Sequence, residues 1–155
     1  MKTQTKSVEP IELLLVEDND DDVVLTRESF RATSLPINLN RVENGEQCMA
    51  FLRKQSPFEN APTVELVLLD INMPRMDGRE VMAAITADAT LRHLPVVVLT
   101  TSSAETDIHQ MYALRCSSYI VKPVIFEEFT QAITKLEDYW WAVVALPNGQ
   151  NQRGV

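Results

Sequence analysis

Residues 11–22 read IELLLVEDNDDD, an apolar run that ends abruptly in five acids: Glu17, Asp18, Asp20, Asp21 and Asp22. The apolar half does not alternate. Two later stretches share this character, ELVLL at 65–69 and PVVVLT at 95–100. Near-continuous apolar runs of this length belong to strands buried on both faces, as in a parallel sheet covered by helices. The acidic half poses a separate question, because carboxylates crowded into six positions repel one another and need a reason to be there.

Working outward, strand-like segments occur at 11–17, 37–42, 64–70, 95–100 and 118–121. Helical stretches fall between them at 20–33, 45–54, 78–87 and 104–114. A last helix starts at Ile125 and runs to about residue 145. Its Phe126, Phe129, Ile133, Leu136, Trp140 and Val143 recur at steps of three and four, one face of a helix. Asp77 and Ser103 are placed to cap the third and fourth helices. Residues 55–63, with two prolines, read as a loop. Strand and helix alternate five times, which implies an open parallel sheet with helices on both sides.

The composition sets limits. The 155 residues suit one domain, with 45% hydrophobic and 23% charged residues. A net charge of −8 repels phosphate backbones and anionic lipid, so neither nucleic acid nor a membrane surface is an expected partner. Cys48 and Cys116 form no CxxC pair and fit no zinc spacing. Cys48 lies among Met49, Phe51 and Leu52 and reads as core filler. No apolar leader core opens the chain and no segment is long enough to span a bilayer, so a soluble cytoplasmic protein is expected.

In open parallel sheets, ligands sit beyond the carboxyl ends of the strands. Those ends deliver Glu17 and Asp18 after strand one, Asp70 after strand three, Thr100 after strand four and Lys122 just after strand five. Three carboxylates and one ammonium leave two net negative charges in one pocket. That excess calls for a divalent cation or for raised carboxylate pKa values. Oxygen-only ligands favour a hard ion such as Mg2+. A cation beside an ammonium suits a phosphoryl group, an Asp can accept it as an acyl phosphate, and the Thr hydroxyl can bond its oxygens. Each residue alone has a plainer explanation: Asp70 as a strand-end turn, Thr100 as a β-branched strand residue, Lys122 as a surface lysine, Tyr119 as a packed strand aromatic. His93 and His109 have neither ligand spacing nor a nucleophile partner.

VEDN, LLDINMPRMDG, PVVVLTTSS and SYIVKP follow one another, each where a strand ends. In this order they resemble the receiver domain of two-component response regulators, from about residue 11 to 136. The resemblance implies a flavodoxin-like (βα)5 fold with strand order 2-1-3-4-5. It implies Asp70 as the phosphorylated residue and a Mg2+ site formed by Asp18, Glu17, Asp70 and the backbone carbonyl of Asn72. Thr100 is then the switch hydroxyl, Lys122 the phosphoryl contact and Tyr119 the aromatic whose rotamer follows Thr100. A cis Lys122–Pro123 bond is also implied. Arg115 stands where the family commonly has Gly, which leaves the turn before strand five open. The resemblance further implies a histidine kinase on another protein as the phosphodonor. The chain is then expected to accept the group and release it by self-hydrolysis, and not otherwise to be an enzyme.

The expected layout is a short tail at 1–10, the receiver at 11–146 and a tail at 147–155, with no output domain. Output then runs through protein–protein contacts. The stretch DYWWAVVALP is greasy all round, and Trp140, Trp141 and Val144 mark a candidate interface for a homodimer. With VVVLTTSSAE and LLDINMPRMDGRE, this tail resembles the stand-alone regulators that partner cyanobacterial and bacterial phytochromes. Two other readings stay open: a phosphate sink for the kinase, and a small Mg2+-dependent aspartyl phosphohydrolase. The second lacks the usual DxD on the first strand and any cap over the site.

Overall fold

The computed structural model describes residues 10–31, 36–73, 75–100, 109 and 118–121. Their elements, in chain order, are β1 (Ile11–Val16), α1 (Asp20–Arg31), β2 (Ile37–Val42), α2 (Gly45–Leu52), β3 (Leu66–Asp70), α3 (Gly78–Ala87), β4 (Val96–Thr100) and β5 (Ser118–Val121). All five strands are parallel and lie in the order β2-β1-β3-β4-β5. This is the 2-1-3-4-5 order expected above.

The apolar runs explain which strands are central. β3 and β4 are buried at every position, and β1 is buried from Leu13 onward. Side chains alternate between the two faces of a strand. Leu14, Val16, Val67, Leu69, Val96 and Val98 join α2 and α3 in one core, with Cys48, Met49, Phe51, Val81, Met82 and Ile85. The intervening Leu13, Leu15, Leu68, Val97 and Leu99 are equally buried, so both faces of β1, β3 and β4 are covered at these positions. Only a two-faced sheet needs such runs. β2, INLNRV, is polar and mostly half-buried because it is an edge.

Cys48 is fully buried, and desolvation pushes its thiol up to about 12, so it stays protonated and serves as filler. His93 and His109 are both exposed.

Several boundaries differ from expectation. β1 ends at Val16, although Glu17 N still donates to Val42 O at 3.0 Å. β3 starts at Leu66 and β4 at Val96, two residues and one residue later than the apolar pattern. Pro95 has no N–H to give a ladder. α2 stops at Leu52 rather than 54, because Arg53 caps it and Lys54 turns into the left-handed region at φ 56°. α1 is described to Arg31, and residues 32–35 lie outside the described set. So do the fourth and fifth helices apart from His109, with Ser103, Arg115 and Cys116.

Two caps place the loops that matter below. Asn44 Oδ1 accepts from Gln47 N at 2.9 Å and starts α2. Asp77 starts α3 with a full capping box. It accepts from Arg79 N and Glu80 N at 3.0 and 3.1 Å, and Glu80 Oε1 accepts from Asp77 N at 3.0 Å. The cap expected at Asp77 is therefore present.

Candidate functional site

The strand register brings the acids together. Val16 is level with Leu69, so Glu17 and Asp70, each one residue further on, arrive at the same rim. Asp70 is in turn level with Leu99, and Thr100 follows one step later, level with Val121. Carboxylate oxygens of Glu17, Asp18 and Asp70 all lie within 4.8 Å of one another. Glu17 is 0% and Asp70 2% exposed, whereas Asp18 is open to solvent. Thr100 is buried at 3%.

The local backbone aims these groups. Asp70 Oδ1 accepts from Asn72 N at 3.0 Å, which turns the carboxylate back over the β3–α3 loop. Glu17 Oε2 accepts from Asn19 N at 3.2 Å. Asn19 Oδ1 accepts from Asp22 N at 2.9 Å, and Asn19 thereby caps α1. Asp20, Asp21 and Asp22 occupy the first turn of α1, where the helix dipole favours negative charge. The acids of the opening stretch therefore divide into two sets: Glu17 and Asp18 converge with Asp70, and the later three stabilise a helix start.

The β3–α3 loop is bent by two non-glycine residues in the left-handed region, Arg75 at φ 53° and Met76 at φ 71°. Arg75 Nη2 pairs with Glu46 Oε1 at 2.6 Å, fastening the loop to the start of α2. Gly45 and Gly78 allow the closeness. A Cβ on Gly45 would sit 2.1 Å from Met76 O, and one on Gly78 would sit 2.5 Å from Ile71 Cα.

Two buried carboxylates this close repel by roughly 3–4 kcal/mol at an effective dielectric of about 20. The donor set is all oxygen and includes two buried carboxylates and one facing solvent. This chemistry fits a hard divalent cation that retains water on its open side. The expected ligands Glu17, Asp18 and Asp70 are thus brought together. Asn72 lies beside them and is exposed. Thr100 is at the same rim by register. Tyr119 is half-buried, level with Val98, and packs against the core shared by α2 and α3. Lys122, the Lys122–Pro123 bond, Trp140, Trp141 and Val144 lie outside the described residues. Among those described, Ser56–Pro57 is the cis bond.

Sequence reading missed the roles of Asn19, Arg41 and Gly45, and of Gly78 beyond its place in the loop. The two glycines sit in N-G and D-G pairs, a signal of tight turns that was available. Nothing marked Arg41, whose contacts are long-range.

The chain matches the response regulator receiver domain family over residues 13–134. It is 38% identical over 138 residues to response regulator Rcp1 of Synechocystis, covering 89% of this chain and 94% of that protein. A crystal structure of the Mn2+-bound form of Rcp1 superposes with a TM-score of 0.74 at 37% identity, covering 87% of this chain and 97% of that one. A crystal structure of the phosphorylated cyanobacterial phytochrome response regulator RcpA gives a TM-score of 0.75 at 38% identity, covering 88% and 97%.

Proposed function

The chain belongs to the response regulator receiver domain family, and from that premise we propose that it is a phosphorylation-controlled signalling switch that accepts a phosphoryl group on Asp70 from a histidine kinase. The observation that carries this reading is the convergence of Glu17, Asp18 and Asp70 at one rim of the sheet, with Asp70 buried and aimed by the Asn72 amide. Glu17, Asp18, Asp70 and the Asn72 backbone carbonyl would hold a divalent cation, Mg2+, which when bound would offset the charge of the phosphoryl group. An Asp70 carboxylate oxygen attacks phosphorus in line, and the P–N bond of the donor phosphohistidine breaks, its electron pair returning to the imidazole. The product is an acyl phosphate, reset later by hydrolysis. The Thr100 hydroxyl and the Lys122 ammonium contact the phosphoryl oxygens. Tyr119 follows Thr100 and passes the change to the surface beyond β4 and β5. The test is uptake of one phosphoryl group from acetyl phosphate with Mg2+, read by intact mass.

The likeness to RcpA, a phytochrome response regulator, supports a phytochrome kinase as the cytoplasmic donor. Phosphotransfer from a panel of histidine kinases that includes a phytochrome distinguishes it, and equal rates from all donors would remove this assignment. α1, directly after the acidic loop, exposes Val24 at 57% and Leu25 at 47% amid charged neighbours. These two apolar side chains form a docking face for the donor. Replacing both with Ala is expected to slow transfer from the kinase on the order of tenfold, as loss of an interface anchor does. The rate with acetyl phosphate, which needs no docking, stays at the wild-type value. A matching drop in both rates would place Val24 and Leu25 in the acceptor chemistry instead.

The receiver unit extends over 11–146, and the last helix carries a homodimer seam at Trp140, Trp141 and Val144. Wild type should sediment as a dimer at micromolar concentration and Trp141→Ala as a monomer. Monomers in both cases refute the seam.

A further inference from the structure

The turn that carries Glu17 and Asp18 is held from the neighbouring strand. Arg41, near the end of β2, donates from Nε to the Glu17 carbonyl oxygen at 2.9 Å and from Nη2 to Asp20 Oδ1 at 3.0 Å. The two anchors lie on either side of Asp18. The Arg41 side chain is 19% exposed and that of Asp20 88%, so the Asp20 contact alone contributes little in water. The Glu17 contact differs in kind. It fixes the backbone of a buried ligand whose amide already bonds Val42 O and whose carboxylate is bonded by Asn19 N. A planar guanidinium spans both anchors with one rigid fork.

We propose that Arg41 is a positioning residue for the acidic site: it sets the geometry of the Glu17–Asp18 turn and so the affinity for the cation. The proposal deepens the reading of a cation-dependent phosphoryl acceptor and rests on it. Two effects of Arg41 oppose each other. Its positive charge near a cation site weakens cation binding through space, so charge alone predicts tighter binding when it is removed. Bracing predicts looser binding. Arg41→Lys separates them, because it keeps the charge and removes the fork.

Calorimetric titration with Mn2+ should show Arg41→Lys binding roughly tenfold more weakly than wild type, at the lower end of the range for partners that orient metal ligands. In the metal-free protein, amide hydrogen exchange at Asp18 and Asn19 should quicken in Arg41→Lys while exchange in β3 and β4 is unchanged. A merely structural role would move the whole sheet together. Saturating Mg2+ should restore phosphoryl uptake by Arg41→Lys to the wild-type rate. Equal Mn2+ affinity in Arg41→Lys and wild type overturns the proposal and leaves the acceptor reading intact. So does tighter binding in Arg41→Met with no change in Arg41→Lys, the signature of charge alone. Wild-type protein that binds no Mn2+ and takes up no phosphoryl group overturns the acceptor reading itself, and the proposal with it.

Discussion

Asp70→Asn is expected to take up no phosphoryl group under conditions in which wild type gains one, and to be more stable than wild type when no divalent cation is present. Both effects follow from one replaced oxygen. The amide cannot form an acyl phosphate, so the adduct disappears from the mass spectrum. The hydrogen bond from Asn72 N, 3.0 Å long to Asp70 Oδ1, can be kept by the amide oxygen. The substitution therefore removes charge without removing that contact. What it relieves is repulsion with Glu17, whose oxygens lie within 4.8 Å in a buried site. The gain in the metal-free state should be on the order of 1–3 kcal/mol, less than the bare Coulomb figure because the rim is partly hydrated. Added Mg2+ should then narrow the gap. Wild type gains about 2.7 kcal/mol at a hundred times its dissociation constant, while the variant, short of one ligand, gains less. Thermal melts with and without Mg2+ check the narrowing, and mass spectrometry after acetyl phosphate checks the adduct. An Asp70→Asn variant that still acquires the group would move the acceptor elsewhere. If the same variant were less stable than wild type without metal, the three carboxylates would not be in conflict.

Much of this arrangement was legible in the sequence, for a physical reason. A strand buried on both faces writes itself as an unbroken apolar run, so ELLLV, LVLLD and VVVLT mark the three central strands directly. In a parallel sheet the residue after each run lands on the same rim, so Glu17, Asp18, Asp70 and Thr100 could be grouped before any geometry was known. The edge strand INLNRV was harder to interpret. Its polar residues look alike in sequence, yet Asn38 bonds Glu12 and Asn40 bonds Glu12 and the Leu13 carbonyl, while Arg41 reaches the acidic turn. Which of several exposed-looking side chains turns inward depends on the neighbouring strand, 24 residues away in this case. The ends of elements were also inaccurate by one or two residues. Arg53 and Lys54 are good helix formers and give no stop signal after Leu52, but the left-handed backbone at Lys54 is a tertiary outcome.

Gly78→Ala is expected to destabilise the protein and to slow phosphoryl uptake together. Helix propensity alone predicts the opposite, because Ala is favoured over Gly by up to about 1 kcal/mol inside a helix. No described glycine has a positive φ, so backbone freedom is not what Gly78 supplies. Space decides the sign. A Cβ there would lie 2.5 Å from Ile71 Cα, 2.9 Å from Ile71 Cβ and 3.1 Å from Asp70 O. These are mostly backbone atoms, which no rotamer change can move aside. Ile71 is itself fixed, with its N–H on Leu99 O at 3.0 Å and its carbonyl accepting from Gly78 N at 3.1 Å. Either α3 lifts away, breaking the Gly78 bond, or the end of β3 shifts and carries Asp70 with it. Overpacking of this kind costs about 1–3 kcal/mol, more than propensity returns. Gly45→Ala supplies the control. Its Cβ would meet Met76 O at 2.1 Å, a worse clash, but at the far end of the same loop. It should cost at least as much stability while slowing uptake less, because Asp70 is not in the path of the displacement. Urea unfolding and initial rates of uptake at saturating Mg2+ measure the two quantities. If Gly78→Ala matched wild type in both, the close passage of α3 behind Asp70 would not be what holds the acceptor in place. If Gly45→Ala slowed uptake more than Gly78→Ala, the loop rather than the strand end would control the carboxylate.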